Sequence, residues 1–554
     1  MEKAKKKKRK VFLIVPSLFK NKKSKDNTKE TEGSLPEEQE LLMQSLEGNI
    51  ANIKKRTGNS SDMVIRYIKI GERAAIQAAV IYIDGIVDSQ SIQELLVDTM
   101  MKDDVFSEPI TPQNAFTLLK EDVVGIGDVA ILHTWSEVFP ALMSGDTLIL
   151  IDGNNHAMSA GTKGGEWRSI QEPTTQLVVR GSKEGFTESI AKNMPMVRRI
   201  IKSPDLWVET MKIGKVTRTD VSMMYINGIA NDKIVKEVKQ RLNQINIDSI
   251  LESGYVEQLI EDQTYTTFPT MYHTERPDIV AGNLLEGRIA IFVDGTPFVL
   301  IAPAVFIQFF QSPEDYYSRF DIATSIRFLR ILIFFISLIA PATYVAITTF
   351  HQEMVPTKLL IAIAAQREDV PFPSLVEALI MEVTFEILRE AGIRLPRAIG
   401  SAVSIVGALV IGQASVQAGI VSPAMVIVVA MTAIASFATP SFAIAISARL
   451  IRFVFMIAAA TFGFYGIILC FLMMIVHLCS LRSFGVPYMT PLAPFIPSNS
   501  GDTIVRMPWW MLRQRPRLIS SGNMTREGDG QRPMPPKSRG MANTTVKEGD
   551  QNDA

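Results

Sequence analysis

The sequence predicts a multidomain chain: an N-terminal α/β domain made of two similar subdomains, followed by an all-α polytopic membrane domain. Three observations carry this. The chain changes solvent part-way along. Residues 1–326 mix charged and apolar positions as a water-soluble protein does, whereas no charge occurs from Ala398 to Ala448 or from Phe453 to Val476, and apolar stretches of that length need a bilayer. Within the soluble half, an apolar strand runs four times into Asp-Gly or Asn-Gly. The spacing of those turns is itself repeated. The 554 residues allow two or three domains, and 57 Lys+Arg balance 57 Asp+Glu.

Residues 1–60 read as a polybasic, mostly disordered arm. Lys3, Lys5, Lys6, Lys7, Lys8, Arg9 and Lys10 crowd its start. Such a run binds anionic surfaces or stays solvated. With apolar spans downstream, membrane lipid is the expected partner rather than nucleic acid. Val11–Phe19 is apolar, but it contains Pro16, lacks a small-residue cleavage site and leads into Lys20, Lys22 and Lys23, so it is not read as a signal peptide. The N-terminal half is therefore expected in the cytoplasm.

The soluble half is read as subdomains at 62–180 and 205–305. The four turns are Asp84-Gly85, Asp152-Gly153, Asn227-Gly228 and Asp294-Gly295, residue types that tolerate positive φ. Asp84 to Asp152 is 68 positions and Asn227 to Asp294 is 67. AVIYIDGIVDSQSIQELL, around the first turn, matches SMMYINGIANDKIVKEVK around the third: a strand, the turn, then an amphipathic helix. The matched spacing favours duplication. Arg288–Ala302 would pass a hydropathy test for a membrane helix, but Asp294 near its middle would cost about 2.5–3.5 kcal/mol there. Gly295 and Pro297 also break helices. A β-hairpin is predicted instead.

Catalytic chemistry is not in view. Gly125-Ile126-Gly127-Asp128 is too short for a dinucleotide fingerprint, and there is no P-loop. The five histidines show no metal-ligand spacing, and Cys470 and Cys479 read as small apolar fillers. No cofactor or metal is expected, and the chain does not read as an enzyme.

The membrane domain is placed at 327–480, with spans near 331–350, 398–419, 424–448 and 453–478 and a kink expected at Pro341. Gly400, Ser404, Ala408 and Gly412 recur every four positions and form a candidate helix-packing face. Gln413 and Gln417 lie at the end of the same helix. The stretch 374–390 is an amphipathic or partly inserted helix in which Glu382, Glu386 and Glu390 form a stripe and Glu377 lies off it. Inserted, its carboxylates must face protein or water, and rings of them around an axis would favour cations. These four are the candidate ion path. Lying at the interface, the stripe is only the wet face of the helix. The basic clusters Arg389, Arg394, Arg397 and Arg449, Arg452 both belong in the cytoplasm by the charge rule, which requires five spans and exports the C-terminus. Arg506, Arg513, Arg515 and Arg517 with Trp509 and Trp510 argue for a cytoplasmic tail, so four full spans plus a partial insertion are expected. Residues 481–554 form a juxtamembrane segment and tail, disordered after about 519.

Several separated motifs carry a resemblance: Val179–Glu188 (VRGSKEGFTE), Gly254–Asp262 (GYVEQLIED), Glu275-Arg276-Pro277-Asp278, Leu285–Arg288 leading to Asp294-Gly295, Phe309–Tyr317 (FFQSPEDYY), Glu386–Gly400 and His477–Tyr488. In order and kind they resemble the A subunit of the GerA-type spore germinant receptors, over roughly residues 60–517. The signature positions are Arg180, Gly181, Glu184, Gly185, Arg276, Pro277, Asp278, Asp294 and Gly295. Ser182-Lys183 stands where the family pattern has Pro-Arg, a mild change in a turn. The resemblance implies a nutrient-responsive receptor subunit in the spore inner membrane, working with a transporter-like B subunit and a lipoprotein C subunit. It further implies a homo-oligomer, a pentamer, around a ligand-gated cation path. A non-conducting scaffold that couples a nutrient-binding partner to downstream machinery is the alternative. A closely related paralogue group shares most of the motifs.

Overall fold

The computed structural model describes residues 41–70, 76–93, 128–164, 172–395, 407, 410–528 and 530–534. Its α/β module holds two five-stranded antiparallel sheets. The first contains α1 (Leu46–Arg56), β1 (Met63–Ile70), β2 (Ile76–Ile83), α2 (Ser89–Gln93), β3 (Val129–Leu132), α3 (Trp135–Met143), β4 (Thr147–Ile151) and β5 (Ala157–Ala160). The second contains α4 (Ile190–Ile200), β6 (Leu206–Ile213), β7 (Thr219–Ile226), α5 (Asp232–Gln244), α6 (Ser253–Ile260), β8 (Tyr272–Thr274), α7 (Pro277–Leu285), β9 (Ile289–Val293) and β10 (Val299–Ala302). The strand orders, β1-β2-β4-β5-β3 and β6-β7-β9-β10-β8, are the same topology used twice.

Each sheet buries both faces, with residues alternating between them as the two-residue strand period requires. On β2, Ala79, Ile81 and Ile83 join α1 and α3 in one core, while Ala78, Val80 and Tyr82 join Ile92 of α2 in the other. In the second repeat, Met223 and Tyr225 of β7 pack with α5 and α6. Met224 and Ile226 pack with α4 and α7, and that core runs on without a break into the helices that follow.

The four turn glycines all take positive φ, between 76° and 93°. Asp294-Gly295 joins β9 to β10 as a hairpin. The carboxylates of the two hairpin turns also reach backwards. Asp152 Oδ1 accepts the backbone N–H of Leu46 at 3.0 Å, and Asp294 Oδ1 accepts that of Ile190 at 3.0 Å. Each hairpin thus caps the helix that opens its own repeat. This extends both repeats beyond the expected boundaries. Residues 41–60 are not an arm: Leu42, Leu46, Ile50 and Ile53 form a buried helical stripe, and the second repeat begins at α4 rather than at 205. Residues 1–40 lie outside the described residues.

Among the described residues, the helical module contains α8 (Phe320–Thr349), α9 (Thr357–Arg367), α10 (Ser374–Arg394), α11 (Pro423–Phe437) and α12 (Phe442–Ser480). Among the described residues, α8 and α12 are long and apolar enough to cross a membrane, and α11 is a shorter apolar helix. Side-chain bonds give the direction of each. α8 leaves the α/β module, and at its distal end Thr348 bonds Ser374 at 2.8 Å, so α10 starts there. Tyr344 bonds Ser422, so α11 also starts at the distal end and runs back.

Two expected boundaries change. The span placed at 424–448 is broken, because α11 ends at Phe437 and α12 begins at Phe442. Pro440 disfavours a helical Thr439, and Ser441 is the N-cap of α12. The loop placed around Arg449 and Arg452 is instead helix. The turn falls at Gly463, where φ is 61° and ψ is −142°. There the chain doubles back. Ser447 bonds the carbonyl of Thr267 and His477 bonds Thr266, so both arms, 442–462 and 464–480, reach the α/β module, while Gly463 lies against His351 at the distal end. The chain therefore returns to the side it left: Ser483 Oγ bonds the backbones of Ala304 and Thr270.

The segment after α12 is also more ordered than expected. Arg515 donates to the carbonyl of Leu285 at 2.8 Å, and Asn523 N–H donates to that of Gly228 at 2.7 Å. Residues 519–526 thus follow the second repeat instead of trailing free. Gly522 permits the approach, since a Cβ there would stand 1.9 Å from the Gly228 carbonyl oxygen.

Candidate functional site

Most of the signature positions converge where the α/β module meets α8. Arg276, the N-cap of α7, is wholly buried. Its guanidinium grips Asp278 at 2.6 and 3.0 Å and donates to the carbonyls of Gln176 and Ser182 at 3.2 and 2.9 Å. A planar five-donor fork can hold both oxygens of a carboxylate and two carbonyls at once, four bonds where a lysine ammonium has only three donors. Pro277 opens α7, where its missing N–H costs nothing. Glu275 accepts Thr175 N–H and Oγ. Its own carbonyl accepts Phe186 N–H at 2.7 Å, beside buried Gly185.

The loop so held lies against the one-turn helix Glu314–Tyr317. Glu314 accepts the backbone N–H groups of Val179 and Arg180. Gly181, at φ 137°, lets the Tyr317 ring approach to within 2.7 Å of where a Cβ would stand. Tyr317 donates to Asp278 at 2.9 Å, and burial together with that carboxylate pushes its phenol up to about 12. Glu184 pairs at the surface with Arg199 at 3.5 Å. Asp294 and Gly295 stand apart, at the cap of α4.

One residue along, Asp315 anchors α8. It binds Arg327 and Arg330, each at 2.8 Å, and Arg327 also binds Asp502 at 2.8 Å. Tyr316 donates to Asp502 at 2.8 Å. The first long helix, the one-turn helix and the segment after the last helix therefore meet in one polar node, and the signature loop is bonded to Glu314 beside it. Asp315 and Tyr316 fall within the motif Phe309–Tyr317, whereas Arg327 and Asp502 carry no local sequence signal. Their partners lie 12 and 175 residues away.

The carboxylates of α10 form a second cluster, and each has an arginine. Buried Glu377 accepts Ser422 N–H and Oγ at 3.1 and 2.9 Å and faces Arg367 at 3.3 Å. Glu382 and Arg452 pair at 2.6 Å with side chains 1% and 2% exposed, and Arg452 also donates to the Ser337 carbonyl of α8 at 2.6 Å. Glu386 binds Arg389 and Arg449 at 2.7 and 3.2 Å. Glu390 binds Arg394 at the exposed end. The stripe thus runs from buried to solvent, neutralised throughout. α10 packs against α8, α11 and α12. Of the small-residue face, Gly412 is buried 3.7 Å from Val426 of α11, measured from where its Cβ would stand. Gly400, Ser404 and Ala408 lie outside the described residues.

The family profile described as "Bacillus/Clostridium GerA spore germination protein" matches residues 51–518. The chain is 64% identical over 512 residues to Spore germination protein KA of Bacillus subtilis (strain 168), covering 92% of this chain and 93% of that protein. It is 45% identical over 480 residues to the uncharacterized membrane protein YfkQ of the same organism, covering 86% and 92%. The crystal structure of the N-terminal domain of the A subunit of the Bacillus megaterium spore germinant receptor GerK3 aligns with 49% of this chain and 100% of that one, at 56% identity and a TM-score of 0.40.

Proposed function

The chain belongs to the GerA family of spore germination proteins, and from that premise we propose that it is the A subunit of a nutrient-responsive germination receptor. It forms an oligomeric, ligand-gated cation channel in the spore inner membrane, the α/β module facing the cytoplasm. Its partners are a transporter-like B subunit and a lipoprotein C subunit, and the homo-oligomer is a pentamer. The observation that carries the coupling role is the node of Asp315, Arg327 and Asp502, which bonds the first long helix to the C-terminal segment and lies next to Glu314, where the signature loop is held. A movement in the α/β module then reaches α8 without slack.

An even number of passes fits the return of residues 480–488 to the α/β module, and it puts both basic clusters and the C-terminal segment on the cytoplasmic side. The candidate ion path is the stripe Glu382, Glu386, Glu390 with Glu377. Arginines occupy these carboxylates here, so conduction along the stripe requires some of the pairs to part.

The test is conductance of purified A subunit with its B and C partners in planar bilayers. A nutrient-evoked cation current, altered in Glu382→Gln/Glu386→Gln at unchanged assembly, supports the reading. Wild-type currents in that double variant would remove both residues from the path. The neutralised stripe favours one other reading, a non-conducting scaffold, which predicts no current under any nutrient.

A further inference from the structure

Two of the chain's five histidines, 23 positions apart, meet in the first repeat. β3 and β5 are paired so that Leu132 faces Ala157, which sets His133 and His156 opposite each other just beyond the end of the ladder. Their Nδ1 atoms share a hydrogen bond at 2.9 Å, with ring centroids at 4.4 Å and planes at 82°. Both backbones are held from behind. His133 N–H donates to Glu137 in the capping box of α3 at 2.8 Å, and His156 N–H donates to Asn154 Oδ1 at 3.1 Å.

The duplication supplies an internal control. In the second repeat Thr274 of β8 faces Val299 of β10, so the positions equivalent to His133 and His156 are Glu275 and Phe298. The same sheet corner folds there with glutamate and phenylalanine at those two positions, Phe298 packing against His273 instead. The histidine pair is therefore an addition to the fold rather than a requirement of it.

We propose that His133 and His156 form a two-imidazole site for a divalent transition-metal ion of the copper(II) or nickel(II) class. Two nitrogens each about 2.0–2.1 Å from one ion and at right angles to it stand about 2.9 Å apart, the arrangement that square-planar and tetragonal ions prefer. His133 is exposed and His156 half-buried, so the remaining positions are open to water. The ion would bridge β3 and β5 at the edge of the first sheet.

The experiment is titration of Cu²⁺ into the full-length protein in detergent, read by electron paramagnetic resonance. The expected result is one equivalent bound with hyperfine structure from two imidazole nitrogens. His133→Ala and His156→Phe should each weaken that binding by about tenfold or more, since even outer partners of a ligand act on that scale. The double variant should bind no more tightly than either single one. His156→Phe installs the residue of the second repeat and keeps the corner folded, which circular dichroism checks. Absence of a bound equivalent in the native protein, or an unchanged spectrum in either single variant, overturns the site.

Discussion

Arg198 of α4 holds Asp62 at the start of β1, with Nε to Oδ2 at 2.7 Å and Nη2 to Oδ1 at 3.0 Å across 136 residues. Both side chains are almost fully buried, and Ser60 bonds each of them. This pair joins the two repeats. Removing one partner leaves a buried charge uncompensated, so Arg198→Ala should cost about 3–5 kcal/mol. Denaturant unfolding of the purified protein measures this, and the double variant Asp62→Ala/Arg198→Ala should lose less than the sum of the singles. A midpoint unmoved by Arg198→Ala would mean the repeats are held by other contacts.

The return of the chain after α12 predicts sidedness. With Cys470 and Cys479 replaced by Ser, Lys55→Cys in α1 and Ser498→Cys in the C-terminal segment should react with an impermeant maleimide from the same face of membrane vesicles. Glu353→Cys, beyond the distal end of α8, should react from the other. Labelling of Ser498→Cys together with Glu353→Cys would reverse the proposed topology.

Gly463 carries the reversal for two separable reasons. Its φ of 61° with ψ of −142° is open to glycine and strained for other residues, and a Cβ would stand 2.5 Å from the His351 ring. Gly463→Ala should therefore lower the yield of folded protein. Adding His351→Ala should restore only part of it, because the backbone strain of about 1–3 kcal/mol remains. Full recovery in the double variant would assign the whole effect to the ring, as measured by detergent size-exclusion chromatography.

Glu257 on α6 gives a pH dependence. Burial first, then the neighbouring Glu261 and Glu252, push its carboxyl up from 4.5 to about 7. The folded state therefore keeps a proton that the unfolded chain releases, and stability falls as pH rises between those two values. Below pH 4.5 this effect is absent, and above about 7 it is complete. Glu257→Gln should flatten that part of the melting-temperature profile and raise the melting point at pH 8. An identical slope in the variant would place the titrating group elsewhere.

By itself the sequence determined what depends on near neighbours. Turn chemistry at Asp294-Gly295 gave a hairpin where hydropathy alone pointed to a membrane helix, since an Asp-Gly pair settles its own φ angles. Matched intervals between turns revealed the doubling, because two copies of one chain segment meet the same local physics. The change of composition after residue 326 separated the helical part from the sheets. Tertiary structure alone decided the rest. α1 is capped by Asp152, 106 positions away. Glu382 finds Arg452 at a separation of 70, and the histidine pair forms only when β3 and β5 align. The 442–480 run illustrates the limit. Hydropathy records how apolar a stretch is but not which way it travels, and glycine fits a helix or a reversal. Packing of Gly463 against His351, with both arms bonded to the α/β module, selects the reversal.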